Sequence, residues 1–447
     1  HCSVCTLEAN GCVAEPPQAQ CRPLTSDAGS STSGAHSGSG GECAVLDAVD
    51  PACPAQAPYC ADGACQGCSA LASSFCAAVD ADTPVCDDAS GRCVACTPPA
   101  PLCDAAAPFC APDLVCQGCW RHDQCPDSAC DLDTGACLPA STVVWVDGDA
   151  CPGPGTGTEL DPFCEIRSAL LLPFESLTVR LRAGSVYDEQ LSVASARTVG
   201  VRGEGGRPRI SVGGSYVVNA SNDARLMLAG VDVLGGSPAI NCSSAALWLE
   251  DVTVEPGPAD GVLANDCRLQ VERSRVIDRA GDAIELRGRS TLALRSSILG
   301  LDGTPDTATH AVHVRDESAA SIVYSTLAAN RGMEPSASIA CEEGASVELR
   351  SSIVVSLVDD SIDCAGLEAA HNVVDTALPG EGNVEVAVLT PAWFVDVVGG
   401  DFHLADVEET PFGGLAVWQA GDPYEDVDGD PRGPREVGVD VVGADAP

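Results

Sequence analysis

Short apolar steps recur at near-constant spacing through the second half of the chain, and this periodicity constrains the fold more than any other feature. Ile240, Val262, Ile284, Val312, Ile339 and Ile362 are separated by 22, 22, 28, 27 and 23 residues. Each of the first five is followed by a companion pair: Leu247/Leu249, Leu269/Val271, Leu292/Leu294, Ile322/Tyr324 and Val347/Leu349. Apolar residues at i and i+2 share one face of a strand. A period of about 20–30 residues holding several short strands describes a solenoid whose equivalent positions stack at about 4.8 Å. The expected class is all-β. Residues 141–385 should form a right-handed parallel β-helix of roughly eight to ten coils, with the Ile/Val column facing inward.

Cysteine divides the chain differently. Of 26 cysteines, 20 precede Val143. Gly-x-Cys-x-x-Cys appears at Gly63–Cys68 and Gly91–Cys96, a variant at Val115–Cys119, and Gly135-Ala-Cys137 ends the series. Pro-x-Cys precedes the first three, at Cys60, Cys86 and Cys110. A unit of 21–28 residues, poor in Leu, Ile and Phe, cannot fold by burial alone, so disulfides must constrain it. The four Cys-x-x-Cys pairs (Cys2/Cys5, Cys65/Cys68, Cys93/Cys96, Cys116/Cys119) read as disulfide partners rather than zinc or iron–sulfur ligands, given so many intervening cysteines and an oxidising compartment. The expected organisation is a cysteine-containing segment 1–24, a Gly/Ser-rich linker 25–41, loop-dominated disulfide-rich repeats 42–140, the β-helix 141–385 and a closing segment 386–447. The first residue is His1 without an apolar leader, so the chain reads as either naturally processed or artificially cut ahead of it; cysteine at this density in an even total reads as a secreted chain.

Charge narrows the function classes. The balance of 23 Lys+Arg against 65 Asp+Glu gives −42, and every one of those cations is Arg. Phosphate neutralisation needs clustered cations, so a nucleic-acid surface is excluded. Lys-dependent chemistry is excluded with it. No run of about 18 apolar residues exists, so no membrane span is expected.

Two flanking passages carry a family resemblance. Val143-Val-Trp-Val-Asp147, Gly155–Phe163 and Ile166–Leu170 resemble the lead-in segment of pectin-lyase-like β-helix proteins, and Thr178–Tyr187 follows as a first coil. Asp161 as N-cap and Pro162 at N1 would open a short helix whose Phe163, Ile166 and Leu170 cover the open end of the core. Trp393–Asp396, Gly400–Leu404, Asp428-Gly-Asp-Pro-Arg432 and Val439–Gly443 resemble the closing segment of secreted bacterial β-helix proteins. The repeats resemble cysteine-rich repeats of large secreted bacterial surface proteins. The resemblance implies this fold and a secreted or bacterial cell-surface location. That superfamily holds enzymes and non-enzymes alike, so activity does not follow.

Candidate chemistry comes from the coil alignment. One residue after the central column points outward, as does the third, so Glu285 and His313 become neighbours on adjacent coils beside Arg287 and Arg315. Such a patch can bind an acidic sugar and move a proton; on a charged solenoid face it also arises as an opposite-charge ladder. Asp426-Val-Asp428-Gly-Asp430 places alternate carboxylates on a tight turn suited to calcium, or forms a polar turn paired with Arg432 or Arg435. No other cofactor is required. His1 lacks the second His of a copper site, and the sequons at Asn219 and Asn241 read as idle. Register pairs Cys341 with Cys364; Cys242–Cys267 bridges across a corner, and Cys151–Cys164 encloses the Gly-rich loop.

Gly-His-Gly, Gly-x-Ser-x-Gly and His-Glu-x-x-His signatures are missing, and Trp, Tyr and Phe number only 5, 5 and 7. The expected function is therefore a secreted, non-enzymatic surface or matrix component, structural or adhesive, that meets extracellular glycans or other surface proteins. A secreted lyase or hydrolase of an acidic glycan is the alternative. A self-associating subunit of an extracellular polymer is the second.

Overall fold

The computed structural model describes residues 10–15 and 18–23 (backbone), 53, 57–61, 64–71, 74–97, 103–104, 106–149, 153–255, 257–277, 279–300, 309–328, 337–356, 361–386, 389–405, 411–432 and 442–445. The 25–41 linker, His1 and Cys151 lie outside them. Two compact units result: His1–Val79 with Cys86–Cys93, and Asp80–Val85 with Val94–Pro447.

The second unit is built on a parallel β-helix of about eight turns. Sheet 1 has ten strands, from Val143–Val146 to Leu367–Ala370. Sheet 2 has ten, from Val186–Asp188 to Val384–Glu385, and sheet 3 has eight, from Leu191–Ala194 to Ile362–Asp363. The register Ile240–Val262–Ile284–Val312–Ile339–Ile362 runs up sheet 3 as the spacing predicts. All but Ile362 are fully buried. One companion pair needs correcting. Leu292 and Leu294 face Ala320 and Ile322, not Ile322 and Tyr324. Ala320 is small, so a search for bulky residues slides two positions; Tyr324 instead turns the corner with φ 49°.

The helix at the start of the coil runs Ile166–Leu170 with Glu165 as N-cap, rather than opening at Asp161. The reason is tertiary. The Glu189 carboxylate accepts the N–H groups of Ile166 (2.6 Å) and Arg167 (2.9 Å), a cap supplied from outside the local sequence. Ile166 is fully buried, and Phe163 and Leu170 pack beside the core as expected.

A polar ladder runs through one corner. The Val252 N–H donates to Ser274 Oγ (3.0 Å), Ser274 to Ser297 (3.1 Å), Ser297 to Ser325 (3.4 Å) and Ser325 to Ser352 (3.1 Å). Ser352 then donates to Asn372 Oδ1 (2.9 Å) and Asn372 to Asn383 Oδ1 (3.1 Å). The preceding residues Asp251, Arg273, Ser296, Tyr324, Ser351 and His371 all have φ between 43° and 59°. A left-handed corner leaves main-chain donors off the strand ladders, and the small polar column satisfies them.

Each resolved Cys-x-x-Cys is divided between two bridges. In the first unit Cys65 pairs back to Cys53, Cys68 forward to Cys86, and Cys76 pairs with Cys93. In the second, Cys96–Cys110, Cys103–Cys116, Cys119–Cys130 and Cys125–Cys137 continue the overlapping pattern. The cysteine clusters close enough to hold a metal are therefore disulfide sulfurs, not thiolates. Cys242–Cys267 and Cys341–Cys364 are bridged in the coils, with Cα separations of 5.9 and 4.6 Å. This disulfide content marks an extracellular or secreted protein. Among the described residues, no helix is long and apolar enough to cross a membrane.

The last cysteine-rich repeat is seated on sheet 1. An outward column runs Thr178, Gly200, Met227, Trp248, Gln270. Thr178 Oγ1 accepts the Ala129 N–H at 3.0 Å, and Ala129 and Leu138 pack on Met227 and Trp248. Gly200 is required by approach: a Cβ there would meet Ala129 Cβ at 2.3 Å. The C-terminal stretch lies along the outer face of sheet 2, where Phe394, Phe402 and Phe412 cover Ile298, Ala328 and Ile353.

Repeat, coil and C-terminal stretch meet at His122. Its Nδ1 accepts the Cys130 N–H at 3.0 Å, and its main-chain N–H donates to Glu250 Oε2 at 3.1 Å. Arg273 ties Glu250 to Glu425, and Arg121 reaches Glu425 from the repeat. Burial, assisted by Arg202, pushes the His122 imidazole from 6.5 down to about 3. Neutral His122 thus favours folding in full above pH 6.5, and this contribution is lost as pH falls from 6.5 toward 3. By pH 4.5 the loss is about 3 kcal/mol. Glu250, raised by its own burial, works in the opposite direction. His122→Gln should flatten the acid limb, halving the fall in Tm between about pH 7 and 4.5. A variant with the wild-type profile would remove His122 from the acid response.

Candidate functional site

Sheet 3 brings the four residues singled out in the sequence together. Glu285 lies opposite His313 in register, with Arg287 and Arg315 two positions further along. Their roles differ from the sequence expectation at one point: Glu285 does not stand free in solvent. It is 3% exposed, with Oε2 held by Arg287 and Oε1 by Arg315, each at 2.7 Å. Two guanidiniums on a buried carboxylate make it an anchor rather than a base. Arg315 also donates to Glu342 Oε1 at 2.6 Å, and this bond, with Glu285, holds its guanidinium firmly protonated.

Two residues missed in the sequence complete the cluster. His313 Nδ1 lies 3.0 Å from Asp282 Oδ2, so Nδ1–H donates to the carboxylate and Nε2, 3.8 Å from Glu342, is the acceptor nitrogen of the neutral ring. His310 sits edge-on to His313 with centroids 4.5 Å apart. Burial first, then the Asp282 charge, pushes the Asp260 carboxyl up. Burial lowers His310.

These flanking residues form a second polar column. Asp260 Oδ1 accepts the Asp282 N–H (3.0 Å), Asp282 Oδ1 the His310 N–H (2.7 Å), and His310 Nδ1 the Ala337 N–H (3.1 Å). Asp282, His310 and His313 present ligand atoms within 4.8 Å of one another. Both Asp282 oxygens and His310 Nδ1 nevertheless serve these hydrogen bonds. The signal available in the sequence was the repeat of acceptor-bearing residues two positions before the apolar column. Only neighbouring coils give that repeat meaning.

Asp426, Asp428 and Asp430, considered for calcium, share one turn. Asp426 Oδ1 accepts the N–H groups of Asp428 (3.0 Å) and Asp430 (2.9 Å). Asp428 pairs with Arg275 and His403, each at 2.9 Å. Arg432 lies over the Tyr324 ring at 4.3 Å and donates to the Gly443 and Ala444 carbonyls; Arg435 lies outside the described residues. Asn219 and Asn241 stack on sheet 3, Asn241 Nδ2 donating to Asn219 Oδ1 at 2.8 Å.

A family model described as "Family of unknown function (DUF8331)" matches residues 30–143. The sequence matches no curated protein. Among solved structures, the chain is similar to the pectate lyase Pel9A, at TM-score 0.41 and 11% identity over 68% of this chain and 95% of that one. It is similar also to the deglycosylated pectin methylesterase from Aspergillus niger, at TM-score 0.26 and 12% identity over 60% and 90%.

Proposed function

We propose that this chain is a non-enzymatic component of a bacterial cell surface or extracellular matrix, a stiff β-helical body carried on a disulfide-stapled repeat arm. The observation that carries this reading is the seating of the last repeat on sheet 1. Arg202 Nη1 reaches the carbonyls of His122, Cys125 and Ser128 at 2.6–2.9 Å, and Thr178, Met227 and Trp248 complete the contact. The last bridged repeat is thus packed against the β-helix within one compact unit. The charges of the best catalytic candidate are also occupied by one another.

The second reading is a lyase of an acidic glycan. The Asp282–His313 pair favours it, because an oriented imidazole with an open Nε2 is a competent proton acceptor. A panel of acidic polysaccharides, assayed for unsaturated and reducing ends, separates the two. The expected result is no release. Release that disappears in a folded His313→Ala would install the lyase reading instead.

A further inference from the structure

The seam between the last repeat and sheet 1 is an open groove. Three cavities of about 370, 220 and 570 Å³ follow one another along it. The first and second share Leu132, Asp133 and Gln270, and the second and third share Asp133, Arg268 and Thr291. The row is therefore continuous, long enough for a chain-like ligand.

Aromatic residues are scarce in this chain, yet they gather at one end. Trp120 meets Tyr424 edge-to-face at 5.8 Å, and Trp418 stacks on Tyr424 at 6.0 Å. Trp120 and Tyr424 line the first cavity with Gln270, Glu272 and Asp422. Gln270 Nε2 and Glu272 Oε2 are 3.3 Å apart, so an amide and a carboxyl sit side by side near the rings. Flat apolar rings with convergent amide and carboxyl groups fit the C–H faces and hydroxyls of a sugar.

Charge selects among sugars. Arg268 is paired with Asp133 at 2.5 Å and lies over Trp248 at 5.0 Å. Arg225 is paired with Asp131 at 3.1 Å, and Arg289 lies 4.0 Å from Asp266. Arg295, on the wall of the first cavity, donates to the Gly421 carbonyl at 3.2 Å. The carboxylates of the walls (Asp133, Asp223, Asp266, Glu272 and Asp422) outnumber the guanidiniums (Arg225, Arg268, Arg289 and Arg295), inside a protein of net charge −42. An anionic chain therefore meets walls without a cationic excess.

We propose that this groove binds a neutral oligosaccharide chain, with Trp120 and Tyr424 as the platform for a terminal sugar. The inference rests on the surface-binding reading above and names the partner class that reading leaves open.

Isothermal titration of the intact protein with cellohexaose, mannohexaose, maltohexaose and hexagalacturonate tests it. Saturable binding of at least one neutral chain is expected near the millimolar range, with hexagalacturonate weaker. Trp120→Ala should weaken that binding at least about tenfold. Gln270→Ala, on the groove wall, should weaken it severalfold while keeping the wild-type melting profile, and decides the matter if Trp120→Ala misfolds. Tighter binding of hexagalacturonate, binding of none of the neutral chains, or unchanged affinity in Gln270→Ala and a folded Trp120→Ala would overturn the assignment. Cleavage of a bound chain would overturn the non-enzymatic reading and leave the groove standing; absence of binding would do the reverse.

Discussion

Ile284→Asp should abolish cooperative folding of the β-helical unit. Ile284 is fully buried and lies between Val262 and Val312 in the stacked column of sheet 3. Its replacement removes a large apolar side chain and places a carboxylate where the neighbouring coils offer only Val262 and Val312. An unpaired buried carboxylate costs several kcal/mol, and the lost apolar burial adds about 2 more. The sum approaches the whole stability of an ordinary domain, about 5–15 kcal/mol. Ile284→Val is the control, with an expected loss of about 1 kcal/mol. Urea unfolding followed by far-UV circular dichroism reads both. Wild-type melting of Ile284→Asp would mean that position 284 does not face the interior.

The coil architecture was legible because stacking repeats the same demand at every turn. Ile240 to Ile362 recur at the spacing of the coils, so one periodic signal carries both strand positions and register. Where the demand is for a small residue, the signal fades. Ala320 fills a companion position that a search for bulk assigned to Ile322, and the error moved Tyr324 from a corner into the core.

The patch on sheet 3 was legible in part for the same reason. Register alone places Glu285 beside His313, with Arg287 and Arg315 alongside. Register does not reveal burial, and burial makes Glu285 the anchor of two guanidiniums. Asp282 and His310 were missed because their partners are main-chain N–H groups one coil away. The serine column from Ser274 to Ser352 was missed likewise: a lone Ser in a variable corner looks like any turn residue. The seating of the last repeat on sheet 1 depends on Gly200 and Met227 answering Ala129, a contact between segments that share no sequence pattern.

Arg279→Met should also destabilise the unit strongly, for the opposite reason. Arg279 is fully buried. Its guanidinium donates to the carbonyls of Ala259 (2.9 Å), Glu255 (2.7 Å) and Asp260 (3.0 Å), and reaches Gly236 (3.3 Å) and Gly235 (3.4 Å). These carbonyls come from the loops of two coils, and the third supplies the Arg, so one side chain ties three corners. Gly257 is needed beside it, since a Cβ there would fall 2.0 Å from Arg279 Nη1. Met keeps much of the volume but leaves the carbonyls buried without this donor, at about 1–3 kcal/mol for each that water cannot reach. A loss above about 4 kcal/mol is expected, against under about 1 kcal/mol for the exposed Arg289→Ala. Urea midpoints of the two variants decide it. If they shift equally, the Arg279 cluster is not what joins the corners, and the turns between sheets 2 and 3 must be held by the strand ladders alone.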